Sequence, residues 1–216
     1  MSNACLDEQY DVRVNSTIFD AVNALIENLR RKDPYTAGHS QRVSIYSAQI
    51  GRCLGLPDGE REILGRAALL HDIGKIWIRN AVLFNDRPLL TEEKVHMQKH
   101  VGYGIEMLRE APALTEMIPG VRSHHESWNG AGYPHRIAGE AIPLAARIIA
   151  VADTFDAMTT DRPYSKHMSA DAAVSVIGSL SGVRFDPIVA QAFLNGWEEG
   201  SIAGNLATMP DLAKVA

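Results

Sequence analysis

No apolar run in this chain approaches the ~18 residues that a membrane-spanning helix needs, so no span is expected. Cysteine is almost missing. The 2 residues, Cys5 and Cys53, lie far apart, which excludes a disulfide framework and fits a reducing, cytoplasmic setting. Positive charge is in deficit, with 21 Lys and Arg against 26 Asp and Glu and a net charge of −5. No global basic field therefore exists to hold a long nucleic acid. A small anionic ligand stays open, because metal ions supply positive charge locally. The first fifteen residues are acidic and mixed and lack the apolar region of a secretion signal. No strand-like alternation persists, and no internal repeat or low-complexity tract is visible.

What remains is a chain of 216 residues with 46% apolar and 22% charged side chains, enough for a packed core. Ile18, Val22, Leu25, Ile26 and Leu29 recur at helical spacing, with Ser16 and Thr17 as caps and Asp33-Pro34 as the break. A second helix is expected over residues 38–54, carrying Val43, Tyr46, Ile50, Cys53 and Leu54 near one face. A third begins at Asp58, carries Leu64, Ala67, Ala68 and Leu70, and stops at Gly74. Residues 76–90 read as irregular. Thr91-Glu92-Glu93 opens a fourth helix reaching about residue 108. A shorter one spans 113–125, interrupted at Pro119-Gly120. Gly130, Gly132, Pro134 and Gly139 make residues 127–142 a turn-rich loop, closed by Pro143. A helix over 144–160 follows, then two or three more within 169–214. The fold class is all-α: a tail at 1–15, one helical domain at 16–200 and a helical extension at 201–216.

Five of the eight histidines fall in short polar clusters: His39, His71, His100, His124 and His125. In Leu69-Leu70-His71-Asp72-Ile73-Gly74-Lys75, an apolar helix ends by presenting His, Asp and Lys together. Neutral imidazole and carboxylate suit a borderline divalent metal. A helix C-terminus with Lys75 against the dipole reads almost as well. His124-His125 can share one metal only near a helix end, since successive helical side chains point ~100° apart; otherwise they are surface histidines. His39 alone reads as a polar first-turn residue. His96 lies one turn before His100 on a solvated face. Asp153 interrupts the apolar helix Ile148-Ile149-Ala150-Val151-Ala152, and a buried carboxylate needs a partner, either a cation or local donors. Asp156 follows three residues later as a supporting group. Each cluster alone is equivocal. Together they give an ordered set of nitrogen and oxygen ligands for two metals, with Asp72 as bridge. The absence of thiolates favours a catalytic over a structural site.

His39, the His71-Asp72 doublet and Asp153 resemble the HD superfamily of metal-dependent phosphohydrolases. The loop His124-His125-Glu126-Ser127-Trp128-Asn129-Gly130-Ala131-Gly132-Tyr133-Pro134 resembles its HD-GYP subfamily, as do Thr91-Glu92-Glu93 and Asp161-Arg162-Pro163-Tyr164. The likeness spans residues 17–197. It implies an HD-type helical bundle with the metals in its core, hydrolysing cyclic di-GMP to pGpG and GMP. One metal would take His39, His71, Asp72 and Asp153, the other Asp72, His100, His124 and His125. Iron or manganese is implied, with nickel, zinc or cobalt as further options. Lys75 would hold a phosphate oxygen, Arg162 would lie near a guanine, and Tyr133 would shape the loop beside the substrate. That loop, residues 127–142, would also contact a signalling partner. Tyr35 stands where some members carry a Glu for a third metal, so two metals are implied. Asn129 replaces a frequent Asp. Ser165 replaces a common basic residue, and Lys166 next to it is the compensating cation. The chemistry implied is attack by a hydroxide bridging the metals, with Asp72 and Lys75 as the catalytic side chains. The competing readings are a hydrolase of another cyclic dinucleotide or nucleotide, a signalling module that binds partners through the loop, and a helical structural protein with incidental histidines.

Overall fold

The computed structural model describes residues 3–161 and 167–202, with side chains from Thr17 onward. Ten α-helices lie among the described residues: α1 (Asn3–Lys32), α2 (Pro34–Cys53), α3 (Asp58–Leu70), α4 (Asn80–Leu83), α5 (Thr91–Gln98), α6 (His100–Arg109), α7 (Ile118–Ser123), α8 (Leu144–Thr159), α9 (Ala170–Ser179) and α10 (Pro187–Glu198). Tight 3-10 turns cover Ile73–Trp77, Pro112–Met117 and Gly139–Ala141. No strand occurs among the described residues, and none of their helices is long and apolar enough to cross a membrane.

The boundaries follow local chemistry. Helix α1 begins at Asn3, so residues 3–15, read from sequence as a tail, are helical. Leu6, Tyr10 and Val14 extend the spacing of Ile18 and Val22, and no Gly or Pro interrupts the chain before Pro34. The extension expected at 201–216 lies outside the described residues beyond Ile202. Helix α2 starts at Pro34 instead of residue 38. The Asp33 carboxylate caps it by accepting from the Thr36 N–H at 3.1 Å, and Pro34 occupies the first turn, where its missing N–H costs nothing. The helix expected over 91–108 divides at Lys99, where the His100 ring donates to the Met97 carbonyl. Pro119-Gly120 does not interrupt α7; Pro119 sits in its first turn, and the preceding segment is a 3-10 turn.

Helix α2 is the central member, packed against α1, α3, α8 and α10. Its Val43, Tyr46 and Ile50 are buried, and Tyr46 meets Phe155 of α8 edge-on at 5.0 Å. Full burial of a side chain of this size contributes ~1.5–3 kcal/mol. Leu29 of α1, Leu64 and Leu70 of α3, and Phe193 of α10 complete the same core. The ends of α3, α5 and α7 and the middles of α2 and α8 meet at one place, which positions the centre described next.

The turn after α3 reaches that place only because Gly74 has no side chain. A Cβ there would fall 1.9 Å from the His100 carbonyl oxygen and 2.5 Å from the Gly104 nitrogen, both backbone atoms of α6. Neither can swing aside. Gly74→Ala is expected to destabilise the fold by ~1–3 kcal/mol, roughly 2–10 °C in Tm for a chain this size, read by thermal unfolding. An unchanged Tm would show that the turn does not press on α6.

Candidate metal centre

Three histidines stand where helices stop. A helix leaves its last carbonyls without partners, and a ring N–H can satisfy one of them. His71 follows the end of α3, and its Nδ1 lies 2.6 Å from the Ala68 carbonyl oxygen. His100 follows the end of α5, with Nδ1 2.8 Å from Met97 O. His124 follows the end of α7, with Nδ1 2.8 Å from Val121 O. A carbonyl only accepts, so each Nδ1 carries a proton, and the neutral form of each ring has its lone pair at Nε2.

Those lone pairs converge on one another and on carboxylates. His100 Nε2 lies 3.5 Å from His124 Nε2. The two oxygens of Asp72 face opposite ways: Oδ2 is 3.3 Å from His71 Nε2, and Oδ1 is 3.4 Å from His100 Nε2. His71 Nε2 and Asp72 Oδ1 are each buried and make no hydrogen bond. Acceptor facing acceptor in a dry interior is costly unless a cation stands between.

His39 is different, because it lies inside α2, where no carbonyl is free. Its Nδ1 pairs with Asp156 Oδ2 at 2.6 Å, and its Nε2 faces Asp153 Oδ1 at 3.0 Å and Asp72 Oδ2 at 4.0 Å. Arg42 grips the same Asp156, Nε to Oδ1 at 2.6 Å and Nη2 to Oδ2 at 3.0 Å. Asp153 and Asp156, three residues apart on α8, thus act on opposite nitrogens of one ring.

His125 completes the set. Helix α7 ends at Ser123, so His124 and His125 lie past the helix, the condition under which neighbours converge; their ring centroids are 4.0 Å apart. Tyr133 stacks on His125 at 4.7 Å with 27° between ring planes. The loop carrying Tyr133 folds tightly back on this pair. The buried Glu126 carboxylate accepts from the N–H groups of His135 and Arg136 at 2.7 and 3.1 Å. A Cβ on Gly132 would fall 2.5 Å from His125 O, so that position needs glycine as well.

The ionisation states follow. Burial pushes His100 below its usual value and His124 well below it, and it drives His125 down to about 3 with help from His100. These rings are neutral ligands near pH 7. Burial works against ionising Asp72, but the Lys75 ammonium, 2.6 Å from Oδ2, leads the effects that outweigh it and hold the carboxyl well below the usual range. Burial also opposes the charge on Asp153, and the hydrogen bond from His39 overcomes it. Two sets of ligand atoms result, each mutually within 4.8 Å: Asp72, His100, His124 and His125; and His39, His71 and Asp153. Nitrogen and oxygen donors without sulfur, two orphaned atoms and facing lone pairs all fit divalent cations.

A cavity of about 350 Å³ opens over this cluster, lined by Asp72, Lys75, His125 and Asp153 together with Tyr35, Met158 and Arg184. Of the residues that sequence reasoning assigned to substrate, Lys75 lines the cavity and Tyr133 lies behind His125. Arg162 and Lys166 fall outside the described residues. His96 takes no part; its Nε2 accepts from the Arg79 N–H at 3.3 Å. Asp156, read from sequence as a supporting group, has that place, but its partners His39 and Arg42 lie more than a hundred residues away in sequence and were not paired with it. One cavity residue was missed. Arg184, next to Phe185-Asp186-Pro187, carries no local pattern that separates it from a surface arginine.

Fold and site together define a helical protein built around a histidine- and carboxylate-lined metal-binding cluster. A model of the HD domain family matches residues 23–189. Among curated relatives, the 3′3′-cGAMP-specific phosphodiesterase 2 of Vibrio cholerae is 32% identical over 202 residues, covering 93% of this chain and 38% of the relative. The cyclic di-GMP phosphodiesterase response regulator RpfG of Xanthomonas campestris pv. campestris is 36% identical over 179 residues, covering 82% and 47%. In structure, Bd1817, a HDG"Y"P protein from Bdellovibrio bacteriovorus, superposes with a TM-score of 0.64 at 19% identity, covering 86% of this chain and 63% of that one. The chain belongs to the HD domain family. It spans between a third and about half the length of the curated relatives it matches.

One ring departs from the neutral pattern. Burial lowers the affinity of His39 for a proton, but hydrogen bonds to Asp153 and Asp156 outweigh it and raise the pKa to about 9. Without metal, His39 is therefore a cation at about pH 7, and a metal must expel that proton to reach Nε2. Apparent affinity should rise with pH until about 9. Calorimetric manganese titrations in buffers of different ionisation enthalpy should show about one proton released at this site near pH 7. Heats independent of the buffer would contradict the assignment of His39.

Proposed function

We propose that this chain is a metal-dependent phosphodiesterase that opens cyclic di-GMP to pGpG, GMP or both. The observation that carries this reading is the convergence of nitrogen and oxygen donor atoms from seven His and Asp side chains beneath a cavity that also holds an ammonium group. His39, His71 and Asp153 would hold one divalent ion, and His100, His124 and His125 another, with the two oxygens of Asp72 divided between them. When bound, such ions supply Lewis acidity toward a phosphoryl oxygen and make a coordinated water acidic enough to act near neutral pH. Iron or manganese suits this donor set, and nickel, zinc or cobalt is compatible with it.

The chain's own residues do the rest. Three main-chain carbonyls and Asp156 hold the Nδ1 side of His71, His100, His124 and His39, so these rings are oriented before a cation arrives. Lys75 is placed to neutralise charge that grows on the phosphoryl oxygens. It already sits against Asp72, so its ammonium is oriented without a partner having to be ordered first. Tyr133 covers His125 and keeps water from one side of that ring. Arg162, Lys166 and Tyr133 remain our candidates for contacts to the bases. The loop at 127–142 is a candidate surface for a signalling protein.

A second substrate, 3′3′-cGAMP, is favoured by relatives: two proteins of Vibrio cholerae named as specific for it are 32% and 40% identical to this chain. A turnover panel of cyclic di-GMP, 3′3′-cGAMP and cyclic di-AMP separates these readings. The manganese- or iron-loaded protein is expected to cleave cyclic di-GMP, and Asp72→Ala is expected to lose metal and turnover together. Full turnover by metal-stripped protein would overturn the proposal.

A further inference from the structure

Arg184 is the one cation besides Lys75 and His39 among the described residues lining the cavity, and nothing above gives it a task. It reaches the cavity from the turn between α9 and α10, far from the metal ligands in sequence. Its backbone is held at both ends: its N–H donates to Leu180 O at 2.9 Å, and its carbonyl accepts from Trp128 N–H at 3.0 Å. The neighbouring Val183 carbonyl accepts from Asn129 N–H at 3.0 Å. The turn is thereby pinned to the start of the 127–142 loop. Its side chain is exposed, with the guanidinium 5.5 Å from the ring of the buried Phe185, and no carboxylate among the described residues pairs with it. Asp186, two residues on, is already committed to Arg147. Arg184 also stands within electrostatic reach of Tyr133: burial pushes that hydroxyl's pKa up, and Arg184 offsets only part of the rise.

A guanidinium on a pinned backbone, lining a cavity with anion chemistry and without a carboxylate partner among the described residues, is a group suited to bind an anion. Lys75 lies at the floor against Asp72, where the bond to be broken must sit. Arg184 lies at the exposed rim on the Tyr133 side. A cyclic dinucleotide carries two phosphates on opposite sides of one ring, so when one reaches the floor the other is turned outward. We propose that Arg184 is a substrate-binding residue that takes the second, uncleaved phosphate of the cyclic dinucleotide. This inference rests on the phosphodiesterase reading above. It adds a reason for the enzyme to prefer a diphosphate ring over a simple diester.

The test compares cyclic di-GMP with bis(p-nitrophenyl) phosphate, a diester with a single phosphate, using the metal-loaded full chain and its Arg184→Ala and Arg184→Lys variants. Arg184→Ala is expected to raise KM for cyclic di-GMP roughly 10- to 100-fold, the range for one charge-assisted hydrogen bond, with kcat nearly unchanged. Arg184→Lys should recover part of the loss. The calorimetric Kd for a hydrolysis-resistant phosphorothioate analogue of cyclic di-GMP should weaken by the same factor, and cleavage of bis(p-nitrophenyl) phosphate should not change. An unchanged KM, or an equal loss on both substrates, overturns the proposal, the latter by showing a structural role at the centre. A wild type that cleaves bis(p-nitrophenyl) phosphate and leaves every cyclic dinucleotide intact would instead refute the phosphodiesterase reading, and this inference with it.

Discussion

The unsatisfied carbonyl at the end of a helix is the constraint on which this centre depends. Helices α3, α5 and α7 each end with a histidine that donates Nδ1–H to the carbonyl three residues earlier. That single hydrogen bond does two jobs. It gives a helix-end carbonyl an additional donor, and it fixes which nitrogen keeps its lone pair. Three helix ends brought together in the core therefore present three oriented imidazoles that could hold a cation. The fourth ligand histidine lies mid-helix, has no free carbonyl, and is oriented by the Asp156–Arg42 pair instead.

Packing has to bring those ends into register, and small residues permit it. Gly74 lets the turn after α3 lie directly on the α6 backbone, and Gly132 lets the loop fold onto His125. The same economy explains why the polar centre is tolerated inside an apolar bundle. Ile73, Val101, Val121 and Ile149, all fully or nearly fully buried, surround groups that are each paired or awaiting a cation.

Much of this was legible from residue order. Helical spacing at Ile18, Val22, Ile26 and Leu29 marks a face of α1 that the structure buries. The doublet His71-Asp72 after an apolar run, the pair His124-His125 before a glycine-rich loop, and Asp153 inside an apolar helix each break a pattern that packing alone would keep, and they meet in space. What sequence could not supply was anything set by distance. The start of α1 and the division at Lys99 were not anticipated from sequence, because the polar residues among Leu6, Tyr10 and Val14 obscure their helical spacing and no Gly or Pro marks the break at Lys99. The tautomers, the double hold on His39 and the approach of Arg184 arise between segments with no sequence relation to one another.

In the proposed centre one carboxylate divides two ligand sets, so the most direct measurement is metal content per chain after reconstitution with manganese, counted by mass spectrometry in the wild type and in His124→Ala. Two ions per chain are expected in the wild type, falling to one in the variant with the His39, His71 and Asp153 set intact. A wild type that saturates at one ion, or a variant that still holds two at unchanged affinity, would contradict the division at Asp72.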